Sequence, residues 1–193
     1  MRFQKGMISM IAALSIVIAS GCAQESKIPN VSQAEASNGS TNSSTDKIGS
    51  TTILYTKEFS QERPDLSNFK EGVSFDLSDQ VKDFFTQDIS DKVQNNMKSI
   101  IQHDEKKFKE NMLDEESVKF NMHWFNYKYE AGVKFEFKEV NAITYEQDAK
   151  RIQVVVTFLR NIKDEEIEQE IMTYSLLEDK DKETWLIATM DGN

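Results

Sequence analysis

Between residues 76 and 101 apolar side chains recur at steps of three and four: Val81, Phe84, Phe85, Ile89, Val93, Met97, Ile100 and Ile101. That spacing puts them on one face of a helix. It predicts one amphipathic helix of about 23 residues with a single face turned to a core. Asp76 or Ser78 is placed to cap it, and Asp79 lies near its positive end. Gln102-His103-Asp104 interrupts the pattern. A shorter helix follows, capped by Asp104, with Phe108, Met112 and Leu113 on one side. Val118, Met122, Phe125 and Tyr129 then fit a helix, while Val118, Phe120, Met122 and Trp124 fit a strand equally well. A helix to about Tyr127 is the favoured reading.

From Val133 the period changes to two. Val133, Phe135 and Phe137 alternate with Lys134, Glu136 and Lys138, so one face is wet. Gln147-Asp148 marks a turn. Ile152, Val154, Val156 and Phe158 alternate with Gln153, Val155 and Thr157, the pattern of a central strand covered on both faces. A hairpin turn at 161–164, a half-buried strand at 166–177, a charged loop at 178–182 and a last strand at 184–190 with Trp185 and Ile187 complete the chain. Helices first and four antiparallel meander strands afterwards predict an α+β domain over 76–193, with a curved sheet wrapping the long helix. Upstream, Ile53-Leu54-Tyr55 reads as a short strand and Arg63-Pro64-Asp65 as a turn. Residues 51–75 are therefore a lead-in that packs partly on the domain. No internal repeat of fixed period is present.

The first fifty residues follow neither period. Arg2 and Lys5 precede an uncharged run from Met7 to Ala19, which ends Ile18-Ala19-Ser20-Gly21-Cys22. As a helix that run covers about 20 Å, short of a hydrocarbon core of about 30 Å. A positive start, a short apolar run and small residues before the cut read as a secretory signal over 1–21. Cys22 is the only cysteine in the chain. Ala19-Ser20-Gly21-Cys22 resembles the lipobox of a bacterial lipoprotein precursor, with Ala where Leu is commonest. The alternative is an ordinary secretory signal with a cysteine at its boundary. The resemblance implies cleavage between Gly21 and Cys22, a diacylglyceryl group of palmitate-class chains on the Cys22 thiol, and attachment at the extracytoplasmic face of the cell membrane. Two or more acyl chains hold far more firmly than one, since each buried CH₂ adds about 0.8 kcal/mol.

The segment 22–50 is small and polar, with Asn38-Gly39-Ser40-Thr41-Asn42-Ser43-Ser44-Thr45 lacking any apolar residue. Such a segment cannot bury enough area to offset chain entropy and reads as a disordered tether. As a flexible coil it holds a domain about 30 Å from its anchor on average.

Charge narrows the partners. The 193 residues carry 23 Lys+Arg and 33 Asp+Glu, a formal −10. Loss of Arg2 and Lys5 leaves 21 basic against 33 acidic residues, a formal −12. That balance argues against nucleic acid, whose binders neutralise phosphates with Lys and Arg. It also repels anionic lipid, so the lipid on Cys22 rather than a basic patch supplies membrane attachment. One cysteine excludes an intramolecular disulfide. Lys (19) far exceeds Arg (4), the bias of an AT-rich, low-GC Gram-positive genome.

The domain resembles the nuclear transport factor two-like superfamily, the cone-shaped, cystatin-like α+β fold. The likeness lies in the long first helix, the short helix opening at His103-Asp104 with Phe108, and the strands Arg151–Phe158 and Thr184–Ala188, and covers about 76–191. It implies a pocket between sheet and helices. It implies no single function, since isomerases, dehydratases, cyclases, transport factors and accessory domains of surface proteins share the fold.

Candidate chemistry is sparse. His103 sits beside Asp104 at a helix break, where an exposed His suits the end of the preceding helix. His123 lies in an aromatic run with Phe120, Trp124, Phe125, Tyr127 and Tyr129; a packed or surface position is its favoured reading, and acid–base work in a pocket the alternative. Gly72, Gly132 and Gly192 are isolated, so no phosphate loop is formed. The carboxylates of 179–183 are interleaved with Lys180 and Lys182, and Asp164, Glu165, Glu166, Glu168 and Glu170 form a negative edge without the alternating ligands of a calcium loop. Trp124, Tyr127, Phe135 and Phe137, with His123, are the candidates for a pocket lining or a partner surface, with a packed core as the plainer role. No catalytic residue, metal ligand or cofactor is assigned. The sequence therefore points to a cell-surface lipoprotein presenting a non-enzymatic binding or scaffold domain to a protein partner or a small apolar ligand. The alternatives are a small pocket enzyme of isomerase or dehydratase type and an immunity or inhibitor-type lipoprotein.

Overall fold

The computed structural model describes residues 46–48, 50–60, 65–130, 132–164 and 166–192. Strands β1 (Asp46–Ile48), β2 (Thr51–Thr56) and β3 (Gly72–Val73) come first. Helices α1 (Gln87–Gln102), α2 (Glu105–Glu110) and α3 (Glu115–Glu130) follow, then β4 (Val133–Glu146), β5 (Arg151–Ile162), β6 (Glu166–Asp179) and β7 (Thr184–Gly192). The fold is α+β, with three helices and an open, mainly antiparallel sheet.

The meander expected from the alternating segments is present as β4-β5-β6-β7. The sheet is wider than four strands, however. β2 pairs antiparallel with the last residues of β4, Ala142 to Glu146, and β1 pairs with β2. β3 pairs parallel with β4 at Glu136 and Phe137. The lead-in thus fills both halves of an edge of β4 that a four-stranded sheet would leave unpaired, which satisfies backbone groups there. Its return stretch is tied down by Glu136, a buried carboxylate that accepts from Lys70 N (2.8 Å) and Ser74 Oγ (3.3 Å).

The long helix begins later than the hydrophobic steps indicate. Asp76 does cap, but it caps a single 3-10 turn over Leu77–Gln80, its carboxylate accepting from Ser78 N at 2.9 Å. Lys82 and Phe85 then close on one another through Lys82 N to Phe85 O (3.0 Å) and Phe85 N to Lys82 O (2.9 Å), with Asp83 in the left-handed region at φ 51°. That turn resets the chain, and α1 starts at Gln87. Its apolar face, Ile89, Val93, Met97 and Ile100, is fully buried. His103 ends α1 in a left-handed conformation, and Asp104 caps α2 by accepting from Lys107 N at 3.0 Å. α2 stops at Glu110, so Met112 and Leu113 are not helical. They lie along the outer edge of β7 instead, Leu113 N donating to Ile187 O and Ile187 N to Asn111 O, both at 2.9 Å. The ambiguous segment after Asp114 is helical, as favoured.

Bulges at Lys138 and Asn141 in β4, and at Ala188 in β7 opposite Ser175 and Leu176, interrupt the register and bend the strands. The core lies between the helices and the sheet face that carries Phe135, Phe137, Phe158, Tyr174, Leu176 and Met190. Tyr174 is fully buried, and burial holds its hydroxyl well above the usual phenol range.

Candidate functional site

The apolar parity of the strands determines which side chains meet α3. Phe135 pairs with Arg160, Phe137 with Phe158, and Phe158 with Glu170 across β4, β5 and β6. Phe135, Phe137 and Phe158 form a contiguous ring cluster with centroids 5.8–6.4 Å apart. Trp124 of α3 meets Phe158 edge-on at 6.0 Å. Its indole N–H donates to Met190 O at 3.0 Å, and its ring lies against the backbone of Gly192. One turn earlier, Asn121 accepts from Met190 N (2.7 Å) and donates to Ala188 O (3.1 Å). These two side chains rivet α3 to β7.

Of the five residues singled out from sequence, three aromatics, Trp124, Phe135 and Phe137, come together on this wall and are buried. Tyr127 stands one turn beyond Trp124 and is half-buried. The Arg160 guanidinium lies 5.6 Å from its ring centroid. His123 is elsewhere: it is exposed, its Nδ1 is 2.8 Å from Phe120 O, and its ring touches Phe120 and Trp124. His103 stacks on Phe125 at 4.6 Å. Gly21 and Cys22 lie outside the described residues.

Sequence reasoning missed the polar group beside Tyr127. Arg160 Nη2 donates to Glu168 (2.5 Å) and to Glu170, so two carboxylates share one guanidinium. Burial pushes the Glu170 carboxyl above its usual range; Arg160 draws it down and the charge of Glu168 pushes it further up. The signal was available in the alternation. Arg160 has the parity of Val154, Val156 and Phe158, and Glu168 and Glu170 have that of Met172, Tyr174 and Leu176, so charges of opposite sign sit on apolar faces opposite each other. The negative edge is therefore partly an inward-facing clamp.

A second polar cluster ties α1 to β7. Lys92 Nζ donates to Asp88 Oδ2 (2.6 Å), Thr184 Oγ1 and Trp185 O (2.9 Å), and Thr184 Oγ1 donates to Asp88 Oδ2 (2.9 Å). All three ammonium donors are engaged, so the lysine acts as a staple rather than a base. Among the described residues no group of three His, Cys, Asp or Glu side chains is placed to hold a metal ion. None of the described helices is long and apolar enough to cross a membrane. No family model, no curated protein and no solved structure matches the chain.

Proposed function

We propose that the protein is a lipid-anchored, extracytoplasmic binding module: a secreted chain held at the membrane through Cys22, carrying its α+β domain on the polar segment 23–45, since the last part of the expected tether, Asp46–Ile48, pairs with β2 as β1. The observation that carries this reading is the lone cysteine placed directly after Gly21, behind a positive start and an apolar run too short to span. The domain is read as a nuclear transport factor two-like cone, supported by helices that precede a meander and a first long helix packed on the sheet face. A binding role is favoured over catalysis by how the wall is filled. The aromatics expected to line a pocket pack on each other, and the nearby charged groups are engaged with one another as an Arg160–Glu168–Glu170 clamp. The partner is a protein or a small apolar ligand, and a strongly acidic surface disfavours nucleic acid.

The test is the anchor. A Cys22→Ala variant expressed in the native cell is expected to leave the membrane fraction or to accumulate uncleaved. A variant that is still processed and membrane-held contradicts the reading.

A further inference from the structure

At the end of the sheet where the β4–β5 and β6–β7 hairpins lie, a second aromatic row is only partly covered. Phe84, Tyr145 and Trp185 are each half-buried and touch in sequence, with centroids 5.6 Å and 5.9 Å apart. Val81, just ahead of the turn at 82–85 that carries Phe84, is 38% exposed, outside the helix whose apolar spacing it shares. The segments that hold Phe84 and Trp185, 82–92 and 178–185, carry seven carboxylates against four lysines. Lys92 joins the two segments through Asp88, Thr184 and Trp185 O, which makes their charges one rim. Three of the four lysines are already committed: Lys92 to Asp88, Lys182 to Asp179 (3.0 Å), and Lys82 to Asp83 (3.9 Å). The rim therefore keeps a net negative charge around an apolar centre.

We propose that this end is a docking surface for a cationic amphipathic segment of a protein partner, one in which Lys or Arg flank aliphatic or aromatic residues. The chemistry follows from the two parts of the patch. Trp and Tyr faces attract both apolar side chains and the cationic heads of Lys and Arg. A carboxylate rim steers a basic segment and rejects an acidic one. An aromatic centre within a polar rim is the usual anatomy of a protein interface. The inference deepens the binding reading by naming the partner's chemistry, and it does not depend on the lipid at Cys22.

The experiment measures binding of short fluorescein-labelled synthetic peptides to the full-length chain by anisotropy. One peptide combines Lys with Leu, a second Lys with Ser, and a third Glu with Leu. The Lys–Leu peptide is expected to bind, to weaken with added salt, and to change the emission of Trp185, a change lost in Trp185→Phe. Replacing exposed rim carboxylates together, Asp91→Asn, Glu178→Gln and Asp181→Asn, is expected to weaken it about tenfold. The same charge change placed elsewhere, Glu58→Gln, Glu110→Gln and Glu116→Gln, is expected to leave it within about twofold. Equal loss in both triple variants, equal affinity for the Lys–Ser peptide, or no binding of the Lys–Leu peptide overturns the proposal. A failed anchor, read separately from Cys22→Ala, leaves this result standing.

Discussion

Gly192 shows how one missing side chain positions another. A Cβ at this position would stand 2.6 Å from Trp124 Cζ2, well inside van der Waals contact. Trp124 cannot simply move away, because its N–H is bonded to Met190 O. Gly192→Ala is therefore expected to cost about 1–3 kcal/mol, as overpacking does in a close-packed core; urea denaturation checks it, and unchanged stability would mean that the indole is not held. Glu170 gives a prediction in pH. Its carboxyl in the folded state lies above the 4.5 of an unperturbed glutamate, chiefly through burial. A raised folded value means that its contribution to stability is complete below pH 4.5 and is lost as pH rises through the folded value. Glu170→Gln, which cannot ionise, is expected to flatten this fall in a series of melting curves from pH 4 upward. A variant whose melting temperature follows the same slope as the parent would remove Glu170 as its cause.

Among the elements, the helices show what spacing alone can and cannot place. The steps of three and four identified the buried face of α1, since Ile89, Val93, Met97 and Ile100 are all covered. They could not place its start, because Val81, Phe84 and Phe85 keep helical spacing across a turn closed by backbone bonds between Lys82 and Phe85. Periodicity reports side chains, and this break lies in the backbone. The caps offer a controlled comparison. Asp104 accepts from Lys107 N, whereas Thr86 makes no side-chain bond to the start of α1. Asp104→Ala is expected to destabilise by about 1 kcal/mol and Thr86→Ala by almost nothing. Equal losses in thermal melts would show that the capping bond contributes nothing. In the strands, alternation located β4 to β7 and placed Phe135, Phe137 and Phe158 on one face. The same alternation, followed past the apolar residues, would also have revealed the clamp of Arg160, Glu168 and Glu170.

On the scale of the whole molecule, the least legible feature was the width of the sheet. β2 reaches β4 across more than eighty residues, and β3 joins it through only Gly72 and Val73. Such pairings depend on which edge is left open after the meander forms, and no local pattern encodes that. The aromatic wall was half legible: its aromatics were named from sequence and His123 takes a surface position, as favoured, but the charged clamp was missed. Ahead of the domain, the chain carries a short apolar run ending Ser20-Gly21-Cys22. In the proposed reading the acidic, aromatic-faced domain is attached to the membrane through the Cys22 thiol. The most direct measurement is mass spectrometry of the N-terminal peptide from protein extracted from native membranes. The account predicts a chain beginning at Cys22 with a diacylglyceryl thioether on that residue. A chain that begins elsewhere, or an unmodified Cys22, would contradict it.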